Sequence, residues 1–316
     1  MSQKESSPVT RQLSVLKSNM EKRIVGKSEL IDKLIIALVS EGHVLLEDVP
    51  GVGKTSLAQV LAGSLALSFA RIQCTPDTTP ADITGLSVYN SKDGEFRTVE
   101  GPVINNIVLA DELNRTSPKT QSALLEAMEE RKVTIDGRDV AIPEPFMVIG
   151  TQNPIEMAGT YPLPESQLDR FMMRLKVGYP SSEDAVAMAG RFIEGSLHEE
   201  TQQVLSGDDI LSIRMEVRKV TVHDNLLKYA VGIVEETRNA SEVSCGASPR
   251  SMLSLLRCAQ AVALYEGRDF CIPEDILKAS LWTLPHRLVL STEARMSRIT
   301  QEQILKRITD RIKVPA

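Results

Sequence analysis

The feature that most narrows what this chain can fold into is a join. A short apolar run, His43-Val-Leu-Leu-Glu47, turns through Pro50 into Gly51-Val-Gly-Lys-Thr55, and from Lys54 the apolar positions Leu57, Val60, Leu61 and Leu65 fit one helical face. A buried strand, a glycine-rich turn and a helix, in that order, form the unit from which helix-covered parallel sheets are built. Further runs at Phe69–Gln73, Ile104–Ala110 and Phe146–Thr151 repeat the strand signal between helical stretches. Since these strands read as apolar on both faces, a parallel sheet between helical layers is expected.

Two stretches break the alternation. Leu86-Ser-Val-Tyr-Asn90 and Glu95-Phe-Arg-Thr-Val99 flank a Lys92-Asp-Gly94 turn, and Lys132–Ile142 alternates around Asp136-Gly137. Both read as hairpins. A lone two-stranded hairpin is barely stable in water, so both are expected as insertions on a larger body. Ahead of the sheet, Leu13, Leu16 and Met20 predict one helix, and Ser28 is placed to cap a second running to Ala37. After Tyr179-Pro180 helices dominate, at Ser182–Phe192, Asp224–Arg238, Pro249–Tyr265 and Pro273–Leu284. Proline in the first turn, as in Ser248-Pro249 and Ile272-Pro273, marks two of these starts. At 316 residues the chain has room for two domains, and the boundary is expected near 181.

Composition removes several classes. The net charge of −6 argues against a dedicated nucleic-acid binder. No window approaches the 18 to 20 uninterrupted apolar residues of a membrane span, and the opening residues do not read as a secretory signal. Cys74, Cys245, Cys258 and Cys271 form no CxxC, and the four histidines form no HExxH, so structural or incidental roles are expected for them. Reduced thiols and the missing signal point to the cytoplasm.

Chemistry gathers at three strand ends. In Gly51-Val-Gly-Lys-Thr55 the backbone N–H groups and the helix dipole would favour phosphate oxygens, with Lys54 reaching the β- and γ-phosphates and Thr55 offering its hydroxyl to Mg²⁺. Pro50, Val52 and Ser56 complete the cradle, although Asp48 stands where the full pattern has glycine. Ile107-Val-Leu-Ala-Asp111-Glu112 ends a strand in two carboxylates, placing Asp111 as a second metal ligand and Glu112 as the base for an attacking water. Asn153, at the end of Val148-Ile-Gly-Thr-Gln-Asn153, would hold that water or contact the γ-phosphate.

These blocks resemble the MoxR family of AAA+ ATPases. The likeness rests on His43–Thr55, Ala110–Met128, Thr151-Gln-Asn-Pro154 and Tyr161–Phe171, and extends over roughly residues 10–290. The resemblance implies a P-loop αβα core over 1–181, with both hairpins as characteristic insertions, and a C-terminal all-α lid over 182–316. It implies ATP and Mg²⁺ as cofactors, with hydrolysis at the subunit interfaces of a ring, expected to be a hexamer. Arg170 matches an arginine finger reaching a neighbour's nucleotide, with Arg115 as competitor. Arg250 matches the sensor-2 arginine, in cis or in trans, and Val25-Gly26 matches the segment bordering the adenine. A chaperone-like action on client proteins, including metal-cofactor activation, follows by the same likeness, with a von Willebrand factor A domain protein as partner. The alternatives are a nucleic-acid-remodelling ring, a magnesium-chelatase-like ATPase subunit and a nucleotide-gated scaffold without turnover.

Overall fold

The computed structural model describes residues 7–47, 51–92, 94–153, 160–194 and 201–315. Its centre is a five-stranded sheet ordered β2-β5-β8-β1-β9, comprising β1 (Val44–Glu47), β2 (Phe69–Gln73), β5 (Ile107–Asp111), β8 (Met147–Gln152) and β9 (Met173–Leu175). Every pairing in it is parallel, with Val44 beside both Ile149 and Met173, and Phe69 beside Ile107. The strands therefore begin along one edge and end along the other. Glu47, Gln73, Asp111 and Gln152 terminate the four longer strands.

Strand alternation sorts the core into two layers. Val44, Leu46, Ile107, Leu109, Met147 and Ile149 face one apolar cluster, while Leu45, Val108, Ala110 and Val148 face the other. The first layer packs against α1 (Pro8–Glu21), α2 (Ser28–Val39) and α3 (Lys54–Ser64), and it continues into the C-terminal helices α8 (Gly207–Lys219), α9 (Asp224–Asn239), α10 (Pro249–Tyr265) and α11 (Pro273–Thr283). The second packs against α4 (Pro80–Thr84) and α5 (Pro118–Glu130), with Leu124, Leu125 and Met128 turned inward. Short α6 (Glu165–Leu168) precedes β9, α7 (Ser182–Ile193) follows it, and α12 (Thr292–Met296) and α13 (Gln301–Arg311) close the chain.

Both hairpins form, but they differ in setting. In β6 (Lys132–Ile135) and β7 (Arg138–Ala141), Asp136 and Gly137 take φ of 48° and 78°, as a two-residue turn with left-handed centres requires. Val133 and Ile135 are buried in the second layer. In β3 (Gly85–Asn90) and β4 (Glu95–Glu100), Leu86, Val88, Tyr89, Phe96 and Val99 all stay exposed, with Phe96 at 73 %.

Several expectations needed correction. Ser28 is the first helical residue rather than the cap; Lys27 precedes α2, and its ammonium donates to the carbonyls of Gly178 and Tyr179. The third strand begins at Ile107, because Ile104 closes a turn onto Gly101 and Asn106 bonds with Ser68. As an edge strand, β2 buries only Ile72. Strand β9 and helices α8, α12 and α13 lie outside the elements expected from the sequence. The C-terminal region also carries a short antiparallel pair, β10 (Val243–Cys245) with β11 (Val289–Leu290), within an otherwise helical body.

Candidate functional site

The candidate chemistry sits on the edge where the strands end. Gly51 and Gly53 adopt φ of 83° and 89°, and a Cβ on either would project into open space, so the backbone there presents a bare concave surface. Helix α3 begins at Lys54 immediately beyond, with Thr55 in its first turn. Anions at such a helix start meet unpaired N–H groups and the positive end of the dipole. Beside the loop opens a cavity of about 490 Å³, walled by Val25, Val52, Ser56, Val177, Tyr179 and Met188, among others. That volume and largely apolar wall suit a nucleoside. Gly26 lies next to it but faces the Asp184 side chain. Asp48 and Pro50 lie outside the described residues.

Two strands over, the β5 end is held by β8. Thr151, fully buried, donates its hydroxyl to Asp111 Oδ1 at 2.7 Å and accepts from the Glu112 N–H at 2.9 Å. Glu112 takes a left-handed φ of 57°, which swings its carboxylate away from the strand direction. Arg115 donates to Glu112 Oε2 at 2.9 Å. Arg71, on β2, reaches Asp111 Oδ2 at 2.6 Å and Gln73 Oε1 at 2.7 Å. Asn153 is buried at the end of β8, where Gln152 donates to Glu47 Oε1 at 2.8 Å. Burial, with the charges of Asp111 and Glu112 behind it, pushes the Cys74 thiol up to about 12, so it stays protonated and inert. Asp111 and the Thr55 hydroxyl are the oxygen donors a hard divalent cation prefers, and with the cradle they fit a magnesium–nucleotide complex. No group of three or more His, Cys, Asp or Glu among the described residues is placed to hold a metal by protein ligands alone.

Arg170 and Arg250 are elsewhere. The chain returns from β8 to the edge where strands begin before entering β9, and Arg170 lies just ahead of that strand. Its guanidinium pairs with Glu129 Oε2 at 3.1 Å, and Arg250 pairs with Glu129 Oε1 at 3.0 Å. Glu129 stands near the C-terminal end of α5, one residue beyond Met128, whose carbonyl bonds to His43 just before β1. The two arginines thus share one carboxylate at the strand-start edge, while the phosphate loop lies at the other. A strand of four to five residues puts roughly 15 Å between the edges.

Sequence reasoning missed Thr151, Arg71 and Glu129. Thr151 belongs to the Thr151-Gln-Asn-Pro154 block, and only its place beside the β5 end gives it a role. Glu129 carries no motif, and its role appears only once α5 and α10 are packed.

The geometry so far describes a P-loop nucleotide-binding module with a helical lid, and comparison with known proteins agrees. The family model for the ATPase family associated with various cellular activities (AAA) matches residues 43–173, and that for the AAA lid domain matches 235–308. Chaperone MoxR1 of Mycobacterium tuberculosis is 42 % identical over 301 residues, spanning 92 % of this chain and 79 % of that protein. Protein YeaC of Bacillus subtilis, uncharacterised, is 48 % identical across 92 % of this chain and 91 % of its own length. A crystal structure from Cytophaga hutchinsonii, of a protein inferred to be an ATPase, superposes with a TM-score of 0.92 at 38 % identity, covering 98 % of this chain and 96 % of that one. The chain belongs to the MoxR family of AAA+ ATPases. No helix among the described residues is long and apolar enough to cross a membrane.

Proposed function

We propose that this chaperone-like ATPase works as a ring, expected to be hexameric, that hydrolyses ATP with Mg²⁺ at its subunit interfaces and uses the energy to remodel or activate client proteins. The observation that supports this reading is the separation of the two edges: Arg170 and Arg250 pair with Glu129 and stay partly exposed where the strands begin, whereas the phosphate loop of their own chain lies where the strands end.

Within one pocket the roles divide by chemistry. Gly51 to Ser56 wrap the phosphates, Lys54 neutralises them, and Val25 and the apolar wall take the base. Thr55 and Asp111 would hold Mg²⁺, which supplies charge neutralisation on the phosphate oxygens. Thr151 fixes the Asp111 carboxylate and the Glu112 backbone together. Glu112 accepts the proton of the attacking water once it has left Arg115, and Asn153 orients that water. From the neighbour, Arg170 offers a planar, permanently charged donor fork to the γ-phosphate, and Arg250 adds a second. Residues 1–181 form the core and 182–316 the lid in this reading. The exposed apolar ribbon of β3–β4 is the surface we assign to clients, and the chaperone name of the Mycobacterium tuberculosis relative supports an action on clients. A von Willebrand factor A domain partner and a cytoplasmic setting belong to the same proposal.

The test is a mixture of two dead subunits. Arg170→Ala and Glu112→Gln are each expected to be inactive alone, and mixed rings regain part of the activity wherever an intact Glu112 pocket meets an intact Arg170. Confirmed mixed assembly without recovery at any ratio overturns the trans reading.

A further inference from the structure

We propose that Arg287 is a positioning residue for hydrolysis, holding both Arg170 and Arg250 in place through Asp169. Arg287 ends a 3-10 turn after α11 and is 6 % exposed. Its Nε lies 3.0 Å from Asp169 Oδ1. Its Nη2 donates to the carbonyl of Asp169 at 3.1 Å and to that of Phe171 at 3.0 Å, and so grips the backbone on both sides of Arg170. His286 adds a bond to the same Phe171 carbonyl at 3.0 Å. The Asp169 carboxylate does a second job: it accepts from Ser248 at 2.9 Å and Ser251 at 3.0 Å. Ser248 caps α10, and Arg250 lies between the two serines in its first turn.

One ion pair, buried at its Arg287 end, therefore ties together the two short segments from which the arginines emerge, and Glu129 joins their guanidiniums at the surface. Burying a guanidinium is costly, and an apolar side chain of similar volume would fill the space at less expense. What the ion pair adds is a fixed spacing between a loop of the sheet and a helix of the C-terminal body. Reacting groups displaced by about 1 Å lose roughly 10²-fold in rate, so a spacing device beneath two charge-stabilising arginines has a kinetic consequence.

This inference rests on the trans reading of Arg170, and the experiment separates the two. Arg287→Met removes the charge at similar volume. In assembled rings it is expected to keep the wild-type affinity for a fluorescent ATP analogue, to lower kcat at least tenfold and to leave KM within about twofold. In mixed rings it is expected to behave as an arginine-side defect, with partial recovery beside Glu112→Gln and none beside Arg170→Ala. Asp169→Asn, which keeps a hydrogen-bonding group for the serines, is expected to fall in the same complementation class and serves should Arg287→Met fail to assemble. Wild-type kcat in a folded Arg287→Met or Asp169→Asn ring, or recovery beside Arg170→Ala, overturns the positioning role. If Arg170→Ala itself fails to complement Glu112→Gln, the underlying trans reading has fallen instead.

Discussion

The two edges of the sheet are built in opposite ways. Where the strands end, the candidate groups are held lightly: Asp111 and Glu112 are tethered by one threonine, and Arg71 and Arg115, both close to half exposed, pair with them from the open side. Where the strands begin, polar groups are sealed in. Arg287 and His286 are buried beneath Phe171, and His43 is lodged between Met128 and Val148, accepting from the Val148 N–H at 2.9 Å. One edge keeps its charges able to move when a ligand arrives. The other fixes positions and holds Arg170 and Arg250 partly exposed at the surface. In the proposed ring, each interface would join a yielding pocket to a rigid face.

The largest expected effect breaks the contrast from the rigid side. Arg170→Ala should lower turnover by about 10³-fold or more, on the scale of arginine fingers, while leaving nucleotide affinity nearly unchanged. Titration with a fluorescent ATP analogue alongside steady-state phosphate release checks both halves, and a matching loss of affinity would place Arg170 in its own pocket. On the yielding side, Glu112→Gln should keep ATP bound and slow hydrolysis by about 10² to 10⁴, the range for losing a general base. Lys54→Ala should instead weaken binding itself. Thr151→Val should cost roughly tenfold in kcat, because the Asp111 carboxylate and Glu112 backbone lose a common anchor whose absence misplaces both. A wild-type rate in that variant would show that the tether is idle.

Acid should reveal the sealed edge. Burial, reinforced by the Arg131 charge, lowers His43 to about 3, and burial lowers His286 well below its ordinary value. Both are neutral when folded, whereas in the unfolded chain they take up protons below about 6.5. The unfolded state then binds more protons, so stability falls as pH drops from 6.5 towards 3 and is fully present above 6.5. Between pH 7 and 5.5 each histidine should remove about 1 kcal/mol. Urea unfolding at the two pH values checks this, and in His43→Gln the difference should shrink by that amount. The smallest effect on hydrolysis is expected from shortening residues 134–140 across the β6–β7 turn: ATP binding should persist while client remodelling weakens. Unchanged client activity would leave the β3–β4 ribbon alone as the client surface.

The same contrast explains what could be read before folding. The strand-end edge was legible because its chemistry is local: Gly51 to Thr55, Asp111-Glu112 and Asn153 each sit at the close of an apolar run, and a parallel sheet gathers such ends by construction. The strand-start edge was not. Glu129, Asp169, Ser251 and Arg287 are separated by up to 158 positions, and none belongs to a pattern that announces a partner. Only family likeness singled out Arg170 and Arg250, and it did not say that they share a carboxylate. Strand β9 escaped because its Met173-Arg-Leu175 is too short to show a period, and α13 because its charged face outweighs its apolar one.

Glu129 has a consequence for selectivity. Two guanidiniums side by side on an open surface would capture phosphate, sulfate or any acidic peptide that drifted past. With Glu129 between them, an incoming anion must displace a bound carboxylate, and a singly or doubly charged ion in dilute solution competes poorly. In the proposed ring, a triphosphate already fixed in a neighbour's loop, with its charge concentrated and its freedom spent, would not meet that barrier in the same way. Glu129→Gln should therefore make hydrolysis sensitive to inhibition by millimolar sulfate, and a wild-type inhibition curve in that variant would show that the carboxylate guards nothing.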